Sequence, residues 1–123
     1  MYLYDVALSA SEKTSSLIGA FYGGVVHVYG GCSFSGTCLT AFNAYNGFIG
    51  VYNPVAVDVS AVVFARAVQC GILIIGKNAS FSGNCTGKRY SAFLNGVIAT
   101  GGRGPELLPG DAEGIVESGG IYE

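Results

Sequence analysis

The residues of this chain that could carry out chemistry are few, and most of them lie in a repeated motif. Cys32-Ser-Phe-Ser-Gly-Thr-Cys38 is followed 47 positions later by Ala79-Ser-Phe-Ser-Gly-Asn-Cys85. A nucleophilic Ser35 or Ser82 would need a general base, and the chain contains a single histidine, His27. Neither serine lies in the Gly-x-Ser-x-Gly pattern of a nucleophile elbow. We therefore predict no catalytic residue and a protein that is not an enzyme.

The repeated motif is instead typical of a β-turn. Such a turn needs a residue that tolerates a positive φ, a hydroxyl side chain that hydrogen-bonds the local backbone, and an apolar side chain that anchors the turn in the core. The motif supplies all three residue types twice. We assign four of its residues as structural turn positions: Phe34, Gly36, Phe81 and Gly83.

The four cysteines do not have the spacing of a metal site, for which two close C-x-x-C pairs are usual. They stand at Cys32, Cys38, Cys70 and Cys85. An even number allows three disulfide pairings, and the spacing does not choose among them, although a Cys32–Cys38 bridge could form in an oxidising medium. Because no secretion signal is evident, we expect free thiols packed as small hydrophobes, with no metal and no cofactor.

Aromatic residues favour packing over ligand binding. Eight tyrosines and no tryptophan suit contacts between subunits, where the ring is buried and the hydroxyl finds a partner. Tyrosines near Asn43, Asn46 or Asn53 would also suit a glycan site. His27 alternates with valines in a predicted strand, and we assign it no role.

Charged residues are unusually rare. They make up 11% of the chain, against about 25% in ordinary soluble domains, and 50% of the residues are hydrophobic. The apolar runs are far shorter than the roughly 20 residues of a membrane helix, and the N-terminus has no signal-peptide pattern, so we expect synthesis in the cytoplasm and no membrane partner. The formal net charge of -2 and the scattered basic residues argue against nucleic-acid binding. Apolar patches that pack against neighbouring proteins explain the composition best.

Short strands separated by glycine-rich turns predict an all-β fold. Val55, Val57 and Val59 alternate with smaller or polar residues and should face the core. Two further segment pairs correspond, Val25-Val-His-Val with Ile72-Leu-Ile-Ile and Asn46-Gly-Phe-Ile49 with Asn95-Gly-Val-Ile98. These matches predict that residues 25–50 and 72–100 form two copies of one β unit. Because a solenoid needs at least three stacked units, we predict a small sandwich or barrel built from these two units.

The two ends of the chain differ from this middle. We predict an extended N-terminal arm over residues 1–20, a β domain over residues 21–100, and an extended C-terminal arm over residues 101–123, which is rich in Gly, Pro and acidic residues. Six residues of the C-terminal arm are candidates for contacts between subunits: Leu107, Leu108, Ile115, Val116, Ile121 and Tyr122.

Gly24-Val-Val-His-Val-Tyr-Gly30 and Phe34-Ser-Gly-Thr-Cys-Leu-Thr40, between a polar arm and a Pro-Gly arm, give the chain a family resemblance. Over roughly residues 20–100 it resembles the small β-rich structural proteins of tailed-bacteriophage virions, of the capsid decoration or cement type. The resemblance assigns no functional residue. It implies a homo-oligomer in the virion, most often a trimer, that clamps the major capsid protein or another virion protein and stabilises the shell.

Two other functions stay open. The first is a receptor- or glycan-binding module of a phage tail or surface fibre, which requires a tyrosine-lined pocket. The second is a secreted filament subunit, which requires export of the chain and permits disulfides.

Overall fold

The structure, a computed structural model that describes residues 1–123, contains thirteen β-strands and no α-helix, and thus no helix that could cross a membrane. The strands are β1 (Tyr2–Leu3), β2 (Ala7–Ser11), β3 (Ser16–Phe21), β4 (Val25–Val28), β5 (Ser33–Tyr45), β6 (Phe48–Val51), β7 (Val55–Val68), β8 (Ile72–Ile75), β9 (Phe81–Ser82), β10 (Cys85–Phe93), β11 (Val97–Ala99), β12 (Ile115–Val116) and β13 (Ile121–Tyr122). The predicted all-β class is confirmed.

All strand pairs are parallel, and each joins one turn of the chain to the next. In the first sheet, of order β1-β4-β6-β8-β11-β13, paired residues lie 23 to 25 positions apart. In the second sheet, β5 pairs with both β2 and β3 on one side and with β7 on the other, and β7 in turn pairs with β9 and β10. The chain is therefore a β-solenoid of about five coils, each with one segment in the first sheet and two in the second.

The prediction of a sandwich or barrel is wrong. The 47-residue offset that relates β4 to β8 spans two coils, and the similar segments around β6 and β11 are also two coils apart. The true repeat is about half as long and occurs often enough to satisfy the requirement for at least three stacked units. Residues 25–50 and 72–100 are thus successive stretches of one solenoid and not the two halves of a sandwich.

Both segments predicted as arms contribute strands to the solenoid. Residues 1–20 supply β1, β2 and most of β3, which pair with β4 and β5. Residues 101–123 supply β12 and β13, which pair with β10 and β11.

Columns of like residues fill the interior. Val26, Ile49, Leu73 and Ile98 are in register in the first sheet, and all four are buried. From the second sheet, Val55, Val57 and Val59 point into the same core, which confirms the alternation predicted for this strand. Each such side chain contributes about 1.5–3 kcal/mol when it leaves water. The core is therefore a stack of short apolar layers, one per coil.

One corner of every coil repeats the same two small residues. Buried alanines stack in register at Ala20, Ala44, Ala67 and Ala92. Glycines follow at Gly47, Gly71, Gly96 and Gly120, and a Cβ on any of them would overlap the carbonyl group of the alanine in the preceding coil. The corner therefore has no room for a larger residue, because the coils approach each other there through backbone atoms.

A loop between β11 and β12 completes the last coil. Its Leu108 is fully buried in the core cluster. Arg103 holds the loop in place, since its guanidinium donates hydrogen bonds to five carbonyl oxygens, those of Ile75, Gly76, Lys77, Ala79 and Thr100. Arg89 Nη1 donates to the Leu108 carbonyl at 2.9 Å. Charge-assisted hydrogen bonds thus fix a segment that has few regular backbone pairs.

Replacing the corner glycine in Gly96→Ala should lower the free energy of unfolding by about 1–3 kcal/mol, because the new Cβ would overlap the Ala67 carbonyl. Gly30→Ala is the matched control, since a Cβ there would have only the Asn53 side chain nearby, at 3.9 Å. We expect the control to stay within about 0.5 kcal/mol of the wild type in urea denaturation. Equal effects of the two substitutions would contradict the close packing at the corner.

Leu108→Ala should lower the free energy of unfolding by about 2–5 kcal/mol, because it empties a filled site in the last core layer. Leu94→Ala is the control, since Leu94 is largely exposed on a corner. Thermal unfolding of both variants measures the difference. A Leu108→Ala variant as stable as the control would show that the loop does not close the core.

Candidate functional site

The outer surface of the first sheet carries no Asp, Glu, Lys or Arg. We call this surface the apolar face and define it by the outward residues of its six strands: Tyr2, Val25, His27, Phe48, Gly50, Ile72, Ile74, Val97, Ala99 and Ile121. They form two columns, because residues in register stack one above another from coil to coil.

The first column of the apolar face is aliphatic apart from one phenylalanine. Val25, Phe48, Ile72, Val97 and Ile121 are in register along five successive strands. Val25 is 45% exposed, Ile72 39% and Ile121 46%. A continuous row of water-exposed apolar side chains is unusual on a protein that works alone, whereas single exposed apolar residues are ordinary.

Aromatic rings cover the early coils of the apolar face. Tyr2, Tyr4, His27, Tyr29 and Tyr52 form what we call the aromatic cluster. Ring centroids lie 5.1 Å apart for Tyr2 and His27, 4.7 Å for Tyr4 and Tyr29, and 5.2 Å for Tyr29 and Tyr52. Stacked pairs of this kind contribute about 0.5–1.5 kcal/mol each beyond their buried area. The cluster is thus a stiff surface of large rings.

Tyr52 connects the aromatic cluster to the middle of the apolar face. Its ring folds back over Gly50, where a Cβ would overlap the Tyr52 hydroxyl group, and Tyr52 Oη lies 3.1 Å from His27 Nδ1. Partial burial raises the pKa of the Tyr52 phenol, and the nearby Tyr29 and Tyr2 hydroxyls raise it further. The phenol therefore remains uncharged at neutral pH.

The later coils of the apolar face carry smaller side chains. Beyond Tyr52, the second column continues through Ile74 and Ala99, which are in register, and backbone hydrogen bonds to Ile98 and Thr100 place Glu123 beside Ala99 at the end of the sheet. Gly76 follows β8 where the earlier coils carry tyrosines. The apolar face is therefore graded, with bulky rings over its first three strands and aliphatic side chains or glycine over its last three.

A different surface covers the first part of the second sheet. Ser11, Thr37, Ser60 and Thr86 are in register, and Thr86 Oγ1 donates to Ser60 Oγ at 3.0 Å. Ser9, Ser35 and Asp58 form the neighbouring column, and the Asp58 carboxylate accepts a hydrogen bond from the Asn84 N–H at 3.1 Å. Short polar side chains suit contact with water, so the solenoid has one polar, solvent-exposed surface and one apolar surface.

A cleft of about 410 Å³ lies beside the loop that completes the last coil. Arg89, Glu106, Asp111 and Glu113 line it together with Tyr90. The Tyr90 ring is covered on one side by Tyr122, with centroids 3.9 Å apart, and on the other by Gly114, where a Cβ would overlap the ring. Neither face of Tyr90 is free to stack on a sugar ring. Three acidic side chains around one arginine do not by themselves define a ligand.

The predicted turn residues lie in the second and fourth coils. Phe34 is buried in β5, with its ring edge-on to Phe42 at 5.6 Å, while Phe81 in β9 is partly buried against the core. Gly36 lies inside β5 with φ 101°, and Gly83 lies between β9 and β10 with φ 127°. At both glycines a Cβ would overlap a carbonyl of the preceding coil. The motif therefore bends a strand against its neighbour.

The six residues predicted to contact other subunits are separated by the fold. Leu108 is fully buried, and Leu107 and Tyr122 pack partly against the core. Ile115 and Val116 are exposed in β12, at the end of the second sheet. Ile121 belongs to the apolar face.

The three asparagines considered for a glycan site do not line one pocket. Asn46 borders a shallow groove and donates a hydrogen bond from Nδ2 to the Gln69 carbonyl at 3.2 Å. Asn43 is buried on the second sheet, and Asn53 lies at the corner after β6. Ser35 and Ser82 belong to the second sheet and His27 to the first, and no hydrogen bond joins either serine to the imidazole.

The apolar face was missed by the sequence analysis because its members share hydrophobicity and not identity. Val25 and Phe48, which are adjacent in one column, look unlike each other, whereas Val25 and Ile72, two coils apart, look alike. The alanine and glycine corners, which recur every 23 to 25 positions, were the sequence signal that could have revealed the true period.

No protein family, curated protein or solved structure matches this chain.

The four cysteines are free thiols in different surroundings: Cys32 and Cys38 are buried, Cys85 is partly buried and Cys70 is exposed on a corner. Burial raises the pKa of the Cys38 and Cys85 thiols. We therefore expect a thiol reagent at pH 8 to label Cys70 rapidly and the other three only as the protein unfolds, because the thiolate is the reactive form. Mass spectrometry of native and denatured protein measures this. Rapid native labelling of Cys38 would contradict the packed core.

Proposed function

We propose that this protein is a non-enzymatic structural component that uses its apolar face to bind a neighbouring protein in a larger assembly, beginning with copies of itself. The observation that supports the proposal is the unbroken apolar column from Val25 to Ile121 on a sheet without charged side chains. Exposure of this apolar surface to water is unfavourable in free energy, and contact with another protein removes the surface from water.

The dimensions of the apolar face suit a protein contact. Six strands spaced by about 4.8 Å span about 24 Å, and about six residues per strand with its flanks, at about 3.3 Å each, span about 20 Å, which gives a surface of about 500 Å². Two such surfaces in contact bury about 1,000 Å², which is the lower limit for a specific interface. The surface is also stiff, because parallel sheet pairing and stacked rings hold it. Little conformational entropy is therefore lost on binding.

The virion role is the more specific form of this proposal. The family resemblance predicts capsid decoration, with the major capsid protein or another virion protein as the partner. A charge content of 11% and a rigid solenoid with one apolar side support a role that depends on many repeated weak contacts. If the protein is a decoration protein, purified shells that carry it should disassemble at a higher temperature than the same shells after its removal. Native shells that contain no copy of the protein would contradict this form of the proposal.

Ile72→Glu should weaken self-association by at least about tenfold, because it places a charge in the centre of the apolar face. Val62→Glu is the matched control, since Val62 is 50% exposed on β7 in the second sheet. Light scattering and sedimentation over a range of concentrations measure the association of the wild type and both variants.

A wild-type protein that stays monomeric at high concentration, and that neither variant changes, would exclude self-association through the apolar face. Binding of that monomer to a glycan array would then favour the receptor- or glycan-binding module. Equal weakening by both substitutions would show that association uses a different surface.

A further inference from the structure

We infer that two copies of this chain pair through the apolar face with their solenoid axes antiparallel, so that the aromatic cluster of one copy lies over the later, lower coils of the other. This inference rests on the proposed function, and it specifies the partner and its orientation.

Shape is the first reason for the antiparallel orientation. The aromatic cluster raises the apolar face over its first three strands, whereas the smaller Ile74, Ala99 and Gly76 leave it lower over the later strands. In a parallel pair the rings of both copies would meet and hold the later coils apart. In an antiparallel pair each raised half fills the other copy's low half, which gives the close packing of a specific interface.

Symmetry bears on the number of copies and favours a dimer. A two-fold axis matches a patch with itself, so a single self-complementary surface is enough to close a dimer. A trimer requires two different patches that fit each other. The apolar face is matched by no second charge-free sheet, because the other sheet carries Asp58, Arg66, Lys88 and Arg89 in its strands. The structure therefore favours a dimer over the trimer that the family resemblance predicts.

Charge does not oppose the pairing. The strands of the apolar face contain no acidic residue and no lysine or arginine, and the charges beside them lie at opposite ends of the sheet, the Met1 ammonium at the Val25 carbonyl and Glu123 beside Ala99. An antiparallel pair brings these unlike charges toward each other and a parallel pair brings like charges together, so charge agrees with the fit of the rings against the low half.

Cys70 reports on the orientation. It is exposed at the corner that precedes β8, and it lines a groove of about 220 Å³ with Val25, Phe48 and Ile72 at the edge of the apolar face. This corner lies midway along the first sheet, between β6 and β8. A two-fold axis across the middle of the apolar face brings Cys70 of one copy next to Cys70 of the other. A parallel pairing places the two thiols at opposite edges.

Ala99 reports on the opposite orientation. It lies in the second column of the apolar face, near the end of the first sheet. In a parallel pair a cysteine at this position would face its counterpart, whereas in the antiparallel pair the two would be separated by about three strand spacings, or roughly 14 Å.

The experiment treats the full chain with a short bis-maleimide, using the wild type and the double variant Cys70→Ser/Ala99→Cys at a concentration where light scattering shows dimers. We expect a cross-linked dimer from the wild type and its loss in the double variant. Ile72→Glu, which keeps Cys70, should also lose the cross-linked band if the link reports a specific dimer and not chance collisions.

Dimers that cross-link only in the double variant, through the thiol introduced by Ala99→Cys, would show a parallel pair and overturn the inference, while leaving the proposed function intact. Dimers that cross-link through neither thiol would overturn it as well. A wild-type protein without dimers would instead contradict the proposed self-association, so the two failures are distinguishable.

Discussion

Parallel backbone pairing between successive coils is the constraint on which the rest of this structure depends. Every strand finds its hydrogen-bond partners in the coil before or after it, 23 to 26 residues away in sequence. Because buried backbone groups must be paired, a coil cannot shift relative to its neighbour without losing a row of bonds. The register then places side chains in columns, and each column has one environment along the whole solenoid.

The columns explain the unusual composition. Interior columns hold mostly apolar residues, and the columns at one corner hold alanine and glycine, since carbonyl groups of the preceding coil fill the space there. One outer surface is built from short hydroxyl side chains and another from valine, isoleucine and aromatic rings. Few positions are left for charge, and most of the charged residues lie in corners and in the loop that completes the last coil.

Side chains stacked at the strand spacing also make the surfaces rigid. A structural role suits such a molecule, because a stiff surface loses little conformational entropy when it binds. The gradient from rings to small residues along the apolar face adds a direction to a repetitive shape. In the proposed dimer this direction selects one orientation, which a uniform apolar sheet would not do.

The sequence alone determined the all-β class, the inward valines of β7 and the shortage of charge. Alternation is a local pattern of a few residues, and composition does not depend on the fold. The number of coils did not, since a column requires hydrophobicity and not one residue type, as Val25 and Phe48 show, and the most alike segments were two coils apart. The role of Leu108 also depended on the fold. Its surroundings of glycine and proline predict an arm, and only the stacked coils beneath it provide the core in which it is buried. Local conformational preferences depend on short segments of sequence. The register between coils depends on pairing of distant segments, which forms only when the coils stack.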